Sequence, residues 1–249
     1  MLSLLVALTR FLNHLFAAPI MALLTHLGVH VDNPAAPINR TLTLELIVMV
    51  LFLLFFVIVR SRLHAERPGS AQLMAESVHD FVTNQAEAIM GHGYAPHMPY
   101  VTTIMMFVLC CNICGLFPGI ETPTANPVVP LGLALLTFAY YNWNGIRAQG
   151  PIGYIKHFAG PIWWISWLIF PIEIISHLAR ILSLTIRLYA NMFASDLLTL
   201  AFFSMVPIGV PTVFLGLHLF VALIQAYVFM LLTLIYLSQA VTHDDAAAH

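Results

Sequence analysis

The sequence predicts an all-α polytopic membrane protein. About five transmembrane helices are expected, the last two forming a long tilted antiparallel hairpin, with amphipathic helices at the interface. Three observations carry this. First, 60% of the residues are hydrophobic and 8% charged, with a mean hydropathy of +0.90, whereas soluble domains carry about 25% charge. Second, apolar runs of bilayer length recur along the chain, all but the last closed by arginine, proline or glycine. Third, Glu173, Arg180, Arg187 and Asp196 all stand inside one apolar run, EIISHLARILSLTIRLYANMFASD. A charge at mid-membrane costs about 2.5–3.5 kcal/mol on insertion scales, so it usually marks an ion path or a buried pair.

The same composition excludes other classes. Net charge is −2, and Lys156 is the only lysine among 9 basic residues, so no basic patch serves a nucleic-acid backbone. Cys110, Cys111 and Cys114 are odd in number and lie in one apolar run, which argues against a disulfide framework. Cys111 and Cys114 lack the second ligand pair of a structural metal site, so neither metal nor cofactor is expected. No G-x-x-x-x-G-K-[ST] loop is present to hold a nucleotide phosphate.

Residues 1–30 read as an N-terminal interfacial helix ending near Pro19, because Ser3, Arg10 and His14 recur at helical spacing. A signal peptide is disfavoured, since no basic residue precedes Arg10. A loop over 31–40 leads to the first transmembrane helix, 41–60, with Glu45 near its start and Arg60, Arg62 and Arg67 beyond. Residues 70–91 form an amphipathic interfacial helix with Met74, Val78, Phe81, Val82 and Ile89 on its apolar face. A transmembrane pair occupies 99–147, Tyr100–Phe117 and Val128–Ile146, joined by the turn FPGIETPTANP and followed by a polar loop with Arg147 and Lys156. Both basic clusters then fall on the cytoplasmic side and the Glu121 turn on the other.

The hairpin spans 161–240. Its first helix runs to about Met205, with a kink at Pro171. The Pro207-Ile208-Gly209 turn follows, then a second helix to Ala240 and a tail, 241–249. Such a first helix is over about 60 Å long, twice the bilayer core, so it must tilt. At 100° per residue, Glu173, Ser176, Arg180, Ser183, Arg187 and Asn191 form one polar stripe about 27 Å long. Asp196 falls on the opposite face from Arg187. His218, Gln225, Tyr236 and Gln239 share a face of the last helix. Folding the helices about the turn pairs positions whose numbers sum to about 416, which sets Asn191 level with Gln225 and Asp196 within a turn of His218.

These residues carry a resemblance. RLYANMFASD, with an acid upstream of its arginine and H-x6-Q in the last helix, resembles subunit a of the F-type ATP synthase, as does NICGLFPG…TPTANP. The likeness covers residues 40–240 and points to a bacterial member. It implies that Arg187 is the essential arginine facing the rotor ring. It implies further that Asn191, Asp196, His218 and Gln225 belong to the half-channel open to the periplasmic side, and Glu173 to the opposite one. Arg180 and His177 take lesser roles. The family often has glutamate at the place of Asp196, one methylene longer, and in some bacterial members an acid at the place of Gly115, whose role could pass here to Glu121 or His97.

The implied partners are a rotor ring of c subunits, each with one carboxylate, peripheral stalk subunit b, and indirectly the F1 ATPase. The implied setting is lipid of a bacterial inner membrane. The chain is then a non-catalytic, proton-translocating subunit. The plainer alternatives are a structural ion pair for Arg187, snorkelling for Arg180, interhelical hydrogen bonding for Asp196–His218 and Gln225, and solvated positions for the remaining histidines. A self-contained proton-coupled secondary transporter is the rival function, but it calls for an internal repeat that the sequence lacks. A dihaem membrane cytochrome would need histidine pairs at ligand spacing, which the spans do not hold.

Overall fold

The computed structural model describes residues 2–26, 38, 40–61, 69–91, 93–117, 122–159, 166–205 and 209–241. All regular structure among them is helical: α1 Leu2–His26, α2 Arg40–Ser61, α3 Ser70–Met90, α4 Met98–Cys114, α5 Val128–Ala159, α6 Ser166–Met205 and α7 Val210–Val241. Short 3-10 turns, Ala95–His97 and Pro123–Ala125, precede α4 and α5. Among the described residues four helical segments are long and apolar enough to cross a membrane: Thr41–Ser61, Ala95–Cys114, Trp167–Met205 and Pro211–Val241. The fifth expected span, Val128–Ile146, forms the first part of α5 and packs on α6 and α7. Tyr140, Tyr141, Asn142 and Asn144 dilute its hydropathy and keep it out of that group.

α7 is the hub. It touches α3, α4, α5 and α6, because apolar residues recur around most of its circumference. Ala226, Phe229, Met230 and Leu234 meet Val82 and Ala86 of α3, Val101, Met105 and Val108 of α4, and Leu184, Leu188 and Met192 of α6 in one core. The α6 contributors follow i, i+4, i+8, so a single stripe of this long helix is buried. Ile186, Leu182, Leu197 and Leu200 on its far side are exposed, which suits lipid or a second subunit.

Several expectations change. α1 does not end near Pro19 but carries through it to His26. Strong helix formers on both sides outweigh the one hydrogen bond that proline removes. Asn13 of α1 is buried, with its side chain exchanging two hydrogen bonds of 2.9 Å with the backbone of Ile38. On α3, Met74 and Phe81 are exposed while Val82 and Ala86 are buried, with Val78 and Ile89 against the same core. The packed line 78–82–86–89 is narrower than the apolar face, and the remainder is left for lipid or another chain.

The polar loop expected after Ile146 is helical instead. α5 continues to Ala159, broken only at Gly150, whose φ of 75° and ψ of 159° suit glycine alone. Pro151 then opens the next helical turn, where its missing N–H costs nothing. Pro171 lies inside α6, which passes through it as one helix. Residues 31–37 of the expected 31–40 loop, Arg62, Arg67, Glu121, the segment 160–165 and the tail 242–249 lie outside the described residues, as do Pro207 and Ile208 of the hairpin turn.

Candidate functional site

Three contacts fix the register of the α6–α7 hairpin. Asn191 Nδ2 donates to Gln225 Oε1 at 3.0 Å, Arg180 Cζ lies 5.1 Å from the centroid of the Tyr236 ring, and His218 Nδ1 lies 3.4 Å from Asp196 Oδ1. All three pairs obey the numbering rule of an antiparallel hairpin closed by a short turn. The structure thus brings together Asn191 with Gln225, and Asp196 with His218.

The Asp196 end is a polar cluster built from three helices, α4, α6 and α7, and the turn before α5. His218 is fully buried, with Nε2 3.0 Å from the carbonyl oxygen of Asn112 on α4 and Nδ1 2.8 Å from Ser195 Oγ. Asn112 is held in turn by Thr124, whose hydroxyl donates to its Oδ1 at 2.6 Å. Asp196 itself accepts from both donors of Thr122: the hydroxyl reaches Oδ1 at 2.8 Å and the backbone N–H reaches Oδ2 at 3.1 Å. The carboxylate also forms part of the wall of a cavity of about 380 Å³, lined besides by Thr41, Asn126 and Leu200. One side of Asp196 therefore faces water-sized space and the other a buried imidazole. That arrangement can pass a proton between a cavity and the protein interior.

A second polar cluster lies at the other end of α6. Glu173 Oε1 is 3.5 Å from His177 Nε2, one turn along the helix. His177 Nδ1 is 2.7 Å from the hydroxyl of Tyr141, a buried residue of α5. Tyr141 leans on Tyr236, beside which Arg180 is stacked. Glu173 and Arg180 are thus linked through aromatic groups of two neighbouring helices, and Arg180 is packed rather than merely extended toward water.

Arg187 lies between the two clusters, about 21 Å along the axis from Glu173 and about 13 Å from Asp196. Among the described residues its side chain has no hydrogen-bond, salt-bridge or ring partner. It borders the buried stripe of α6, and the positions beside it on the open side, Ser183, Ala190 and Ala194, are small and exposed. Gln225 is 2% exposed, and its Nε2 has no hydrogen-bond partner among the described residues.

Sequence reasoning missed Thr122, Asn112, Thr124, Ser195 and Tyr141. Asn112 and the Thr122–Thr124 turn stood in the quoted motifs, but no periodicity ties a turn to a carboxylate 74 positions away. His97 is buried and meets the Tyr140 hydroxyl at 3.1 Å, so it is not one of the solvated histidines. It stands at the start of α4, whereas Asp196 and His218 are met from the end of that helix, about 25 Å away. His97 therefore does not line the Asp196 cluster. The α4 contribution comes from Asn112, and Gly115 lies against Thr122 and His218.

The family described as ATP synthase A chain matches residues 42–238. The chain is 52% identical to ATP synthase subunit a of Koribacter versatilis, over 94% of its own length and 96% of that protein. It is 44% identical to ATP synthase subunit a of Solibacter usitatus, over 84% of this chain and 90% of that one. With the subunit a of Sulfurimonas denitrificans the identity is 40%, over 72% and 80% respectively.

Proposed function

We propose, from the premise that this chain belongs to the ATP synthase A chain family, that it is the membrane stator which turns proton flow into rotation through Arg187. The observation that carries this reading is the placing of Arg187: a guanidinium without a partner among the described residues, on an open helix face of small residues, between two separate titratable clusters. A guanidinium does not lose its proton in proteins. Its counter-charge is a carboxylate on each c subunit of a rotor ring, brought to it in trans, and small neighbours allow that helix to come close.

The chemistry follows from the separation of the clusters. Protons enter from the periplasmic side by the cavity, Asp196 and His218, with Asn191 and Gln225 lining the inward continuation. They reach a ring carboxylate, travel with it round the ring and leave by Glu173, with His177 and Arg180 alongside. Arg187 favours the ionised form of the carboxylate in front of it, so a protonated site cannot cross directly from one cluster to the other. Each charge crossing the membrane releases about 2.3 kcal/mol per 100 mV, delivered as rotation. The chain supplies no nucleotide chemistry; ATP is made on the F1 part, to which subunit b tethers it. The assembly sits in a bacterial inner membrane.

The test is ATP-driven acidification of inverted membrane vesicles carrying the whole synthase, read by quenching of a pH-sensitive dye. Arg187→Ala is expected to assemble and not acidify. Normal quenching by that variant would remove the reading.

A further inference from the structure

We propose that Thr122 is a positioning residue for the proton-carrying carboxylate, and that Gly115 and Thr122 together fit this site to an aspartate at 196. The proposal rests on the reading of Asp196 as a proton carrier given above.

Three observations converge. Thr122 spends both its donors on one carboxylate, the hydroxyl on Oδ1 and the backbone N–H on Oδ2. Two-point contact fixes the plane of a carboxylate, where a single bond would leave it to rotate. Its plane so fixed, Asp196 presents Oδ1 to His218 Nδ1 at 3.4 Å while remaining in the wall of the cavity. Secondly, the Thr122 backbone is itself pinned. Its carbonyl accepts from Ala125 N at 2.9 Å in the 3-10 turn Pro123–Ala125, and the residue is buried, so the clamp is rigid.

Thirdly, Gly115 leaves the room that the clamp occupies. A Cβ on residue 115 would collide with Thr122 Oγ1 and come within 2.9 Å of two atoms of the His218 ring. Any side chain there must displace the hydroxyl, the imidazole or both. Gly115 has φ −67°, an ordinary helical value, so space and not backbone freedom is what glycine provides. The hydroxyl, the imidazole and the short carboxylate thus fill one volume. A glutamate at 196, one methylene longer, would push its carboxyl group past Thr122 toward the ring or into the cavity.

The experiment uses the intact synthase in inverted vesicles, comparing Thr122→Val, Thr122→Ala and Thr122→Ser, with Arg187→Ala as a control. Rates of ATP-driven acidification are normalised to assembled complex. Valine and alanine keep the backbone donor but lose the hydroxyl, so acidification should fall by roughly tenfold. Serine restores both donors and should recover most of the rate. Adding Asp196→Glu to Thr122→Val should recover part of the lost rate, because a longer carboxyl group reaches His218 without the clamp; the same change alone, with Thr122 in place, should slow acidification. A purely structural threonine would not yield that reversal. Wild-type rates from valine and alanine, or loss of assembly in both with serine intact, would overturn the proposal. If Arg187→Ala also acidified normally, the functional reading itself would fall; if it is inactive while Thr122→Val is normal, only the positioning role falls.

Discussion

The Nε2 atom of His218 lies 3.0 Å from the carbonyl oxygen of Asn112, and a carbonyl can only accept. That nitrogen therefore carries a hydrogen in both the neutral and the charged ring. The position that exchanges is Nδ1, which faces Ser195 Oγ at 2.8 Å and Asp196 Oδ1 at 3.4 Å. In the neutral ring Ser195 donates to Nδ1; in the charged ring Nδ1–H turns donor toward the carboxylate. Any proton that this ring takes up or gives away is therefore exchanged on the Asp196 side, with α4 as a fixed anchor behind it.

His218→Leu should consequently lower ATP-driven acidification by about a hundredfold or more, roughly the least that a positioned acid–base group contributes. Assembly should survive, because the Asn112 carbonyl still receives the Gly115 N–H at 3.3 Å. Ser195→Ala removes one neutral hydrogen bond from Nδ1 and should slow the rate by roughly fivefold. Equal rates in wild type and the leucine variant, measured in the same vesicles, would make the histidine a packing residue.

Asn191 and Gln225 offer a test on stability. Gln225 is almost completely buried and its amide oxygen accepts from Asn191. Asn191→Leu strands that oxygen beside an Nε2 that has no partner among the described residues, at a cost of about 1–3 kcal/mol. Changing Gln225→Met as well removes the stranded group and should return most of the loss. Thermal inactivation of the purified assembly measures this. A double variant less stable than Asn191→Leu alone would contradict the pairing.

The hairpin register was legible because two long helices joined by a short turn leave one freedom, and the positions of polar residues on them fix it. Asn191–Gln225 and Asp196–His218 follow from numbering. The partners outside the hairpin were not legible. Thr122 and Asn112 reach the site from α4 and the turn after it, and nothing periodic links a turn to a helix far along the chain. The face of α3 misled for a different reason: in a membrane protein lipid and protein core are equally apolar, so Met74 and Phe81 look like core residues while facing outward. In sequence Tyr141 is one more residue of a span, and its hydroxyl contact with His177 depends on the crossing of α5 and α6.

The sidedness of α5 follows from its geometry. Val128 and Arg147 are both exposed and about 28 Å apart along the helix, the thickness of a bilayer core. Single cysteines at 128 and 147, in a chain whose own Cys110, Cys111 and Cys114 are changed to alanine, should react with a membrane-impermeant thiol reagent from opposite sides. The 147 position should label from the cytoplasmic side, where the arginine excess places it. Labelling of both from one side would turn α5 into a surface helix and displace Asp196 from the outer route.

In the proposed function Arg187 has two roles that charge alone would confuse. Attraction to a ring carboxylate requires a cation, and blocking direct passage between the clusters requires one that stays charged beside a changing partner. Arg187→Ala removes both, so the vesicles should not acidify with ATP, and their passive proton permeability should rise, since a protonated carboxylate could then slip between the Asp196 and Glu173 clusters. Arg187→Lys restores a charge, but its ammonium is a single compact donor whose proton can be lost when it is desolvated, while the guanidinium stays charged and presents a planar fork. Lysine should therefore fail in ATP-driven acidification yet leak less than alanine. Both quantities are read in the same vesicles, the first by dye quenching on ATP addition, the second by decay of an imposed pH gradient with hydrolysis inhibited. Leak in the lysine variant equal to that of alanine would show that the fork and not the charge closes the path, and full coupling with lysine would show that charge alone is enough.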